Sequence, residues 1–310
     1  MLAENFLLVA SQVGTLFLLM GVGYVLTRCG KFGPETQSHT TFLLLYVVVP
    51  CLIIDTLQMP RSAHLIQVMG LCMALTLGLY LLAALGLCLL FRRQGENTRI
   101  VLRYGAMYGN IGFMGLPLAQ AVLGEEGLMF AIVGLVGFTL FVWSHGVLLM
   151  GGKGGFSLKK MFLNPGMFGA LGGIALFLLD FRLPAVAGNA VAFLGSMNTP
   201  LAMVIIGSQM AAADLGATFR NPRLYLSALF KLVGFPLLTA LLLLPLRLEP
   251  VMYIVLVILA ATPSAGYTSI FSQQYHRDTA SAAQLVTLTT LCCILTLPCF
   301  AVLAGALIGR

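Results

Sequence analysis

Arg103-Tyr104-Gly105-Ala106-Met107-Tyr108-Gly109-Asn110-Ile111-Gly112-Phe113-Met114-Gly115-Leu116-Pro117 is the stretch that decides the fold. Four glycines and a proline fall within thirteen residues, inside an apolar run of about 100–123. Proline removes a backbone donor and clashes with the preceding turn, and glycine favours unwound geometry. The segment therefore reads as a membrane helix broken near its middle, over 110–116. A second run, about 250–275, carries Ala261-Thr262-Pro263-Ser264-Ala265-Gly266-Tyr267-Thr268-Ser269, with Pro263 about twelve residues from each end. Unwound backbone at that depth has to be buried in protein or line a wet cavity.

The rest of the chain sets these two breaks in a bilayer. Of 310 residues, 59% are hydrophobic and 9% charged, where soluble proteins carry about 25% charged residues. Mean hydropathy is +0.99. A soluble enzyme, a disordered chain and a disulfide scaffold are excluded on these figures. A spanning helix needs about 20 apolar residues. Ten runs qualify as predicted helices, at about 5–27, 39–58, 65–91, 100–123, 127–150, 165–180, 185–213, 223–246, 250–275 and 279–308. The expected fold class is an all-α integral membrane protein. The start of the chain lacks a basic segment, so the first run reads as a retained helix. The seven cysteines form no CxxC or Cys/His cluster and read as small apolar core residues.

Ten helices divide the loops into two sets. One set carries Arg28, Lys31, Arg92, Arg93, Arg99, Arg103, Lys153, Lys159, Lys160, Arg220, Arg223 and Arg277; the other carries Arg61, Arg182, Arg247 and Arg310. The positive-inside rule puts the first set in the cytoplasm and both termini outside. The net charge of +7 is then a topology signal and needs no nucleic-acid partner. The linker Gly151-Gly152-Lys153-Gly154-Gly155 lacks the GK[ST] of a phosphate loop.

The prolines repeat. Pro34 and Pro184 lie 150 residues apart, as do Pro50 and Pro200, and Pro117 and Pro263 lie 146 apart. The implied unit is five helices, 1–150 and 165–310, joined by a short linker at 151–164. Five is odd, so the second copy enters the membrane inverted, an architecture of secondary transporters. Broken helices 4 and 9 would cross at mid-membrane and present free N–H groups with positive dipole ends. Such a centre favours a carboxylate. Asn110, Thr262, Ser264 and Thr268 are placed to add side-chain hydrogen bonds. Lys231 is the charged residue deepest in a span, and an intramembrane ionisable group is a functional candidate; it either neutralises substrate or stands where a coupling cation would sit. Trp143 and His145 read as an interfacial pair, and Gln209 and Asn198 as helix-packing polar residues.

Rival functions are separable. A cation/proton antiporter would want membrane carboxylates, and helices 4, 5 and 9 have none at mid-span. A sodium-coupled symporter of the bile acid type stays open, because sodium can bind neutral oxygens. The coupling ion, proton or sodium, is not legible. An HExxH motif, paired membrane aspartates and a metal-ligand set are all missing from the sequence, so neither an intramembrane enzyme nor a metal cofactor is expected.

Gly109-Asn110 followed by Met114-Gly115-Leu116-Pro117-Leu118 resembles the fourth-helix crossover of the auxin efflux carrier family. Pro263, Tyr275, Asp278 and Leu295-Thr296-Leu297-Pro298 resemble its ninth and tenth helices. Asn164-Pro165, Pro200-Leu201-Ala202, Ile206-Gly207 and Lys231 with Pro236 also match. The family includes the plant PIN-formed proteins and bacterial permeases for small organic acids. The short linker resembles bacterial members, which implies a bacterial inner membrane. The resemblance also implies a fold akin to bile acid symporters and sodium/proton antiporters. Helices 1, 2, 6 and 7 would form a scaffold and homodimer contact, and helices 3–5 and 8–10 a moving transport domain. Elevator-like motion would carry an organic anion at a site that includes Gly109, Asn110, Gly115, Pro117 and Pro263.

Overall fold

The computed structural model describes residues 2–60, 62–152, 165–212 and 214–309. The linker residues 153–164, with Lys153, Lys159, Lys160 and Asn164, lie outside the described residues. Among those described, every regular element is helical, and one isolated antiparallel bridge joins Gly109 to Ser264. In chain order the helices are α1 (Leu2–Arg28), α2 (Pro34–Thr56), α3 (Ala63–Leu87), α4 (Glu96–Met107) and α5 (Ile111–Gly151). Then come α6 (Pro165–Leu178), α7 (Ala185–Ala212), α8 (Leu215–Arg220) and α9 (Arg223–Leu246). The chain ends with α10 (Pro250–Ala261), α11 (Tyr267–Gln274) and α12 (Thr279–Leu307). By length and composition, six of the described helices can cross a membrane: α2, α3, α5, α7, α9 and α12. α10 and the stretch Gly14–Arg28 are shorter apolar helices.

Several boundaries differ from the sequence reading. The helix expected at 100–123 begins at Glu96 and stops at Met107. Its continuation belongs to the 41-residue α5, which reverses at Gly124, where φ is 67° and ψ −155°. Only glycine adopts that backbone cheaply. The unwound stretch is Tyr108–Asn110 rather than 110–116, and Ile111–Gly115 is a π-helical turn.

That turn explains why Pro117 does not break its helix. Three π-helical segments, Leu44–Val48, Ile111–Gly115 and Phe230–Gly234, each end two residues before a proline: Pro50, Pro117 and Pro236. A proline ring clashes with the carbonyl four residues earlier. Here that carbonyl lies within the widened turn, which moves it aside.

Packing follows the proline repeat. α1 lies on α7, where a Cβ on Gly23 would overlap the Val204 carbonyl and one on Gly207 the Met20 carbonyl. α6 lies on α2 in the same way, with Gly169 against Pro50 and Gly173 against Ile53 and Leu57. Small residues let helix backbones approach closely in an apolar solvent. α2 also packs on α7. A second group is built around α5, which contacts α3 and α10, while α12 packs on α4, α9, α10 and α11.

The ends of the second group are tied at one face. Arg277 donates to the Met150 carbonyl and to Asn97 Oδ1, each at 2.8 Å. Asp278 caps α12 by accepting from the Ser281 amide at 3.0 Å, and it accepts from the Thr98 hydroxyl at 2.7 Å. Burial pushes the Asp278 carboxyl up, but these hydrogen bonds outweigh it and hold the group below its ordinary value. A depressed carboxylate contributes stability above the unfolded-state pKa and loses it as pH falls through the folded one. Asp278→Ala is therefore expected to cost about 1 kcal/mol at neutral pH, the worth of an N-cap. The difference in Tm should close as pH falls below the ordinary carboxylate range, and equal melting curves at neutral pH would contradict the cap.

Candidate substrate site at the helix crossover

The two broken segments meet. The Asn110 amide donates to the Pro263 carbonyl at 2.7 Å, and the Ala265 amide donates to the Tyr108 carbonyl at 2.9 Å. Side chains reinforce this short bridge. Ser264 Oγ donates to the Gly105 carbonyl at 2.8 Å, and the Ser264 amide donates to Thr289 Oγ1 at 3.1 Å. Thr262 Oγ1 returns to the Leu259 carbonyl at 2.7 Å. Backbone groups freed by the breaks are thus satisfied across the crossing, as an apolar interior requires.

Four helix ends converge here. α4 and α10 bring their C-termini, α5 and α11 their N-termini. The negative side has a counterpart. Lys231 is the one charged side chain that is fully buried among the described residues. Its Nζ donates to the Ala260 carbonyl at 2.8 Å, in the last turn of α10, and lies 5.1 Å from the centre of the Phe235 ring. A cation at a helix C-terminus and over a ring face is stabilised by both. Lys231 therefore does not reach back to an aqueous face.

The positive ends face a cavity of about 520 Å³. Its deep end is formed by Gly109–Phe113 at the start of α5 and Ala265–Ile270 at the start of α11. Walls come from Leu45 and Val49 of α2, Leu135 and Phe138 of α5, and Val286 and Thr287 of α12. Gln37, Gln209 and Gln273 stand toward the other end. No charged side chain lines it among the described residues. The lining runs to the ends of α2, α7, α11 and α12 that are followed or preceded in sequence by Lys31, Arg220 and Arg277.

Asn110 is prepared as a donor. Its side-chain oxygen accepts from the Phe113 amide at 3.3 Å, and its backbone carbonyl accepts from Met114 and Gly115. With the oxygen engaged, the amide nitrogen is the group left for a ligand, an orientation fixed by the hydrogen-bond network. Carboxylates accept such donors, and the positive end of the helix adds to their attraction.

Of the substrate-site candidates singled out in the sequence, Gly109 and Asn110 line the cavity, and Gln209, read there as a packing residue, lines it as well. Thr262, Pro263 and Ser264 are buried in the crossing itself. Gly115 is packed against Leu259, and Pro117 is buried within α5. The Thr268 hydroxyl is buried without a hydrogen-bond partner in the structure. Trp143 and His145 are half-buried and each meets a ring of the protein. Trp143 stands edge-on to Phe271, and His145 Nδ1 is 2.9 Å from the Tyr108 hydroxyl. Gln37, Gln273 and Thr139 are the residues that pattern reading missed.

The chain matches the membrane transport protein family twice, over residues 8–156 and 153–301. It belongs to this family, the auxin efflux carriers. The double match has the period that the prolines show. An uncharacterized transporter of Methanothermobacter thermautotrophicus is 26% identical over 297 residues, 93% of this chain and 96% of the relative. A transporter of Methanocaldococcus jannaschii is 24% identical, over 88% and 91%. A protein of Rhizobium meliloti, provisionally named a malonate transporter, is 24% identical over 90% of this chain and 91% of its own. The carrier family member described here is a multi-pass membrane transporter.

Proposed function

We propose that this transporter is a secondary carrier for a small organic anion, a carboxylate, moved by elevator-like alternating access. One observation carries the reading: the charge at the crossover is divided. Lys231 compensates the helix C-termini, while the N-termini of α5 and α11 face a cavity without a carboxylate to oppose an anion. The malonate name of the Rhizobium relative supports the same substrate class.

In this reading ten crossings form two inverted five-helix repeats, 1–150 and 165–310, with both termini outside a bacterial inner membrane. α1, α2, α6 and α7 are the scaffold and the homodimer contact. α3–α5 and α9–α12 are the transport domain. The cavity then opens to the cytoplasm, between the two.

Ligands that bind the native state raise its Tm by mass action. Malonate, succinate or lactate is expected to stabilise the purified protein in a concentration-dependent way. Asn110→Ala should weaken that binding about tenfold, the size of one hydrogen bond to a charged group. Asn110→Asp should abolish it by like-charge repulsion. Wild-type affinity in Asn110→Ala would move the site elsewhere.

A further inference from the structure

Gln37, in the first turns of α2, is held by a chain of hydroxyls that reaches across three helices. Thr27 Oγ1 of α1 donates to Ser208 Oγ at 2.8 Å, and Ser208 Oγ of α7 donates to Gln37 Oε1 at 3.1 Å. Ser208 is fully buried. The relay fixes the carboxamide with its oxygen occupied, and Nε2 is its remaining hydrogen-bonding group. Gln37 lines the cavity, and so does Gln209, the neighbour of Ser208. The arrangement repeats the chemistry of Asn110, an amide whose oxygen is engaged and whose nitrogen is left.

The two amides come from different elements of the cavity lining. Gln37, Thr41, Leu45 and Val49 follow one face of α2 along the cavity wall. At up to 1.5 Å per residue, and less through the π-helical Leu44–Val48, Gln37 stands no more than about 18 Å from the level of Val49. Exposed Lys31 lies six residues before Gln37 and exposed Arg220 eight after Ala212 of the lining, and positive charge on that side draws anions.

We propose that Gln37 and Gln209 form a second anion station at the cavity mouth, where the same carboxylate pauses before or after the crossover. The station rests on the carrier reading above. In the carrier reading both glutamines belong to scaffold helices, which pack on each other and, through α7, on the Ile111–Gly115 turn. When the transport domain moves, the station stays behind. It therefore serves the carrier only in the state open toward Lys31 and Arg220. A contact made in one state alone biases the equilibrium and the apparent affinity on that side.

The test is initial-rate uptake of radiolabelled malonate, succinate and lactate by proteoliposomes of each orientation. Gln37→Ala is expected to raise KM from the Lys31 face about tenfold, as for one lost hydrogen bond to a charged group. KM from the opposite face should not change. Gln37→Met keeps the side-chain length and should behave the same, while Gln37→Glu should raise that KM further. Ser208→Ala frees the carboxamide and should give a smaller shift of the same one-sided kind. A shift equal on both faces, or none, overturns the station and leaves the carrier reading intact. Wild-type protein without saturable uptake from either face overturns the carrier reading, and the station falls with it.

Discussion

Replacing Lys231 with methionine is expected to slow organic-anion transport by about 10–100-fold, which is roughly 1.4–2.8 kcal/mol. The ammonium is fully buried and held by the Ala260 carbonyl and the Phe235 ring. Without it, the C-terminal ends of α4 and α10 present uncompensated negative dipoles to an anion arriving at the same crossing. Stability should change much less than transport. Loss of a charge-assisted hydrogen bond costs about 1.5–3 kcal/mol, and relief of ammonium desolvation returns several kcal/mol. The two oppose each other, so Tm is expected to move by only a few degrees. Lys231→Arg keeps the charge but brings a planar, larger head group with five donors. A Cβ built on Gly109 would already be 2.9 Å from Nζ, so little room remains there and partial activity is expected.

The same geometry bears on coupling. Lys231 Nζ already engages a carbonyl that a sodium ion at the crossing would need. Wild-type Tm and uptake are therefore expected to be indifferent to sodium, which separates this carrier from a sodium-coupled symporter. Uptake in proteoliposomes at matched protein levels, with sodium or with potassium, checks both points. Wild-type rates for Lys231→Met would remove the lysine from the mechanism.

The two breaks are legible in sequence because glycine and proline are local constraints, and Pro263 lies within its break. The break near Asn110 is legible only to within a few residues. Its limits are set by bonds from Asn110 to Pro263 and from Ala265 to Tyr108, which are tertiary. Pro117 misled for a physical reason: the π-turn ahead of it absorbs the clash that would otherwise break the helix. The glutamines of the cavity carry no such mark. Gln37 begins a four-residue stripe with Thr41, Leu45 and Val49, which fits a helix grading from a wet end to a dry one. Which neighbour that stripe faces depends on α7, more than 160 residues away. The contacts of Trp143 and His145 are likewise hidden, since an aromatic pair near a span end looks the same in sequence whatever rings it meets, here Phe271 and Tyr108.

Gly109→Ala is expected to abolish transport and to destabilise the protein by about 1–3 kcal/mol, the usual cost of overpacking. Gly109 is the glycine at the bridge itself. A Cβ there would overlap Thr262 Oγ1, and it would come within 2.9 Å of Lys231 Nζ and 3.2 Å of Cε. Neither neighbour can move freely. Thr262 is buried and bonded to Leu259, and Lys231 is bonded to Ala260. The added methyl group therefore pushes the two broken segments apart. The bonds that close the crossing, at 2.7 and 2.9 Å, lie on either side of it. Gly266, in the partner break, is the control. A Cβ there meets nothing within 4 Å, and its φ of −57° suits any residue. Gly266→Ala should keep the wild-type Tm, whereas Gly109→Ala should lose several degrees along with its ligand-induced stabilisation. Equal melting curves for the two variants would show that close contact at Gly109 does not hold the crossover together.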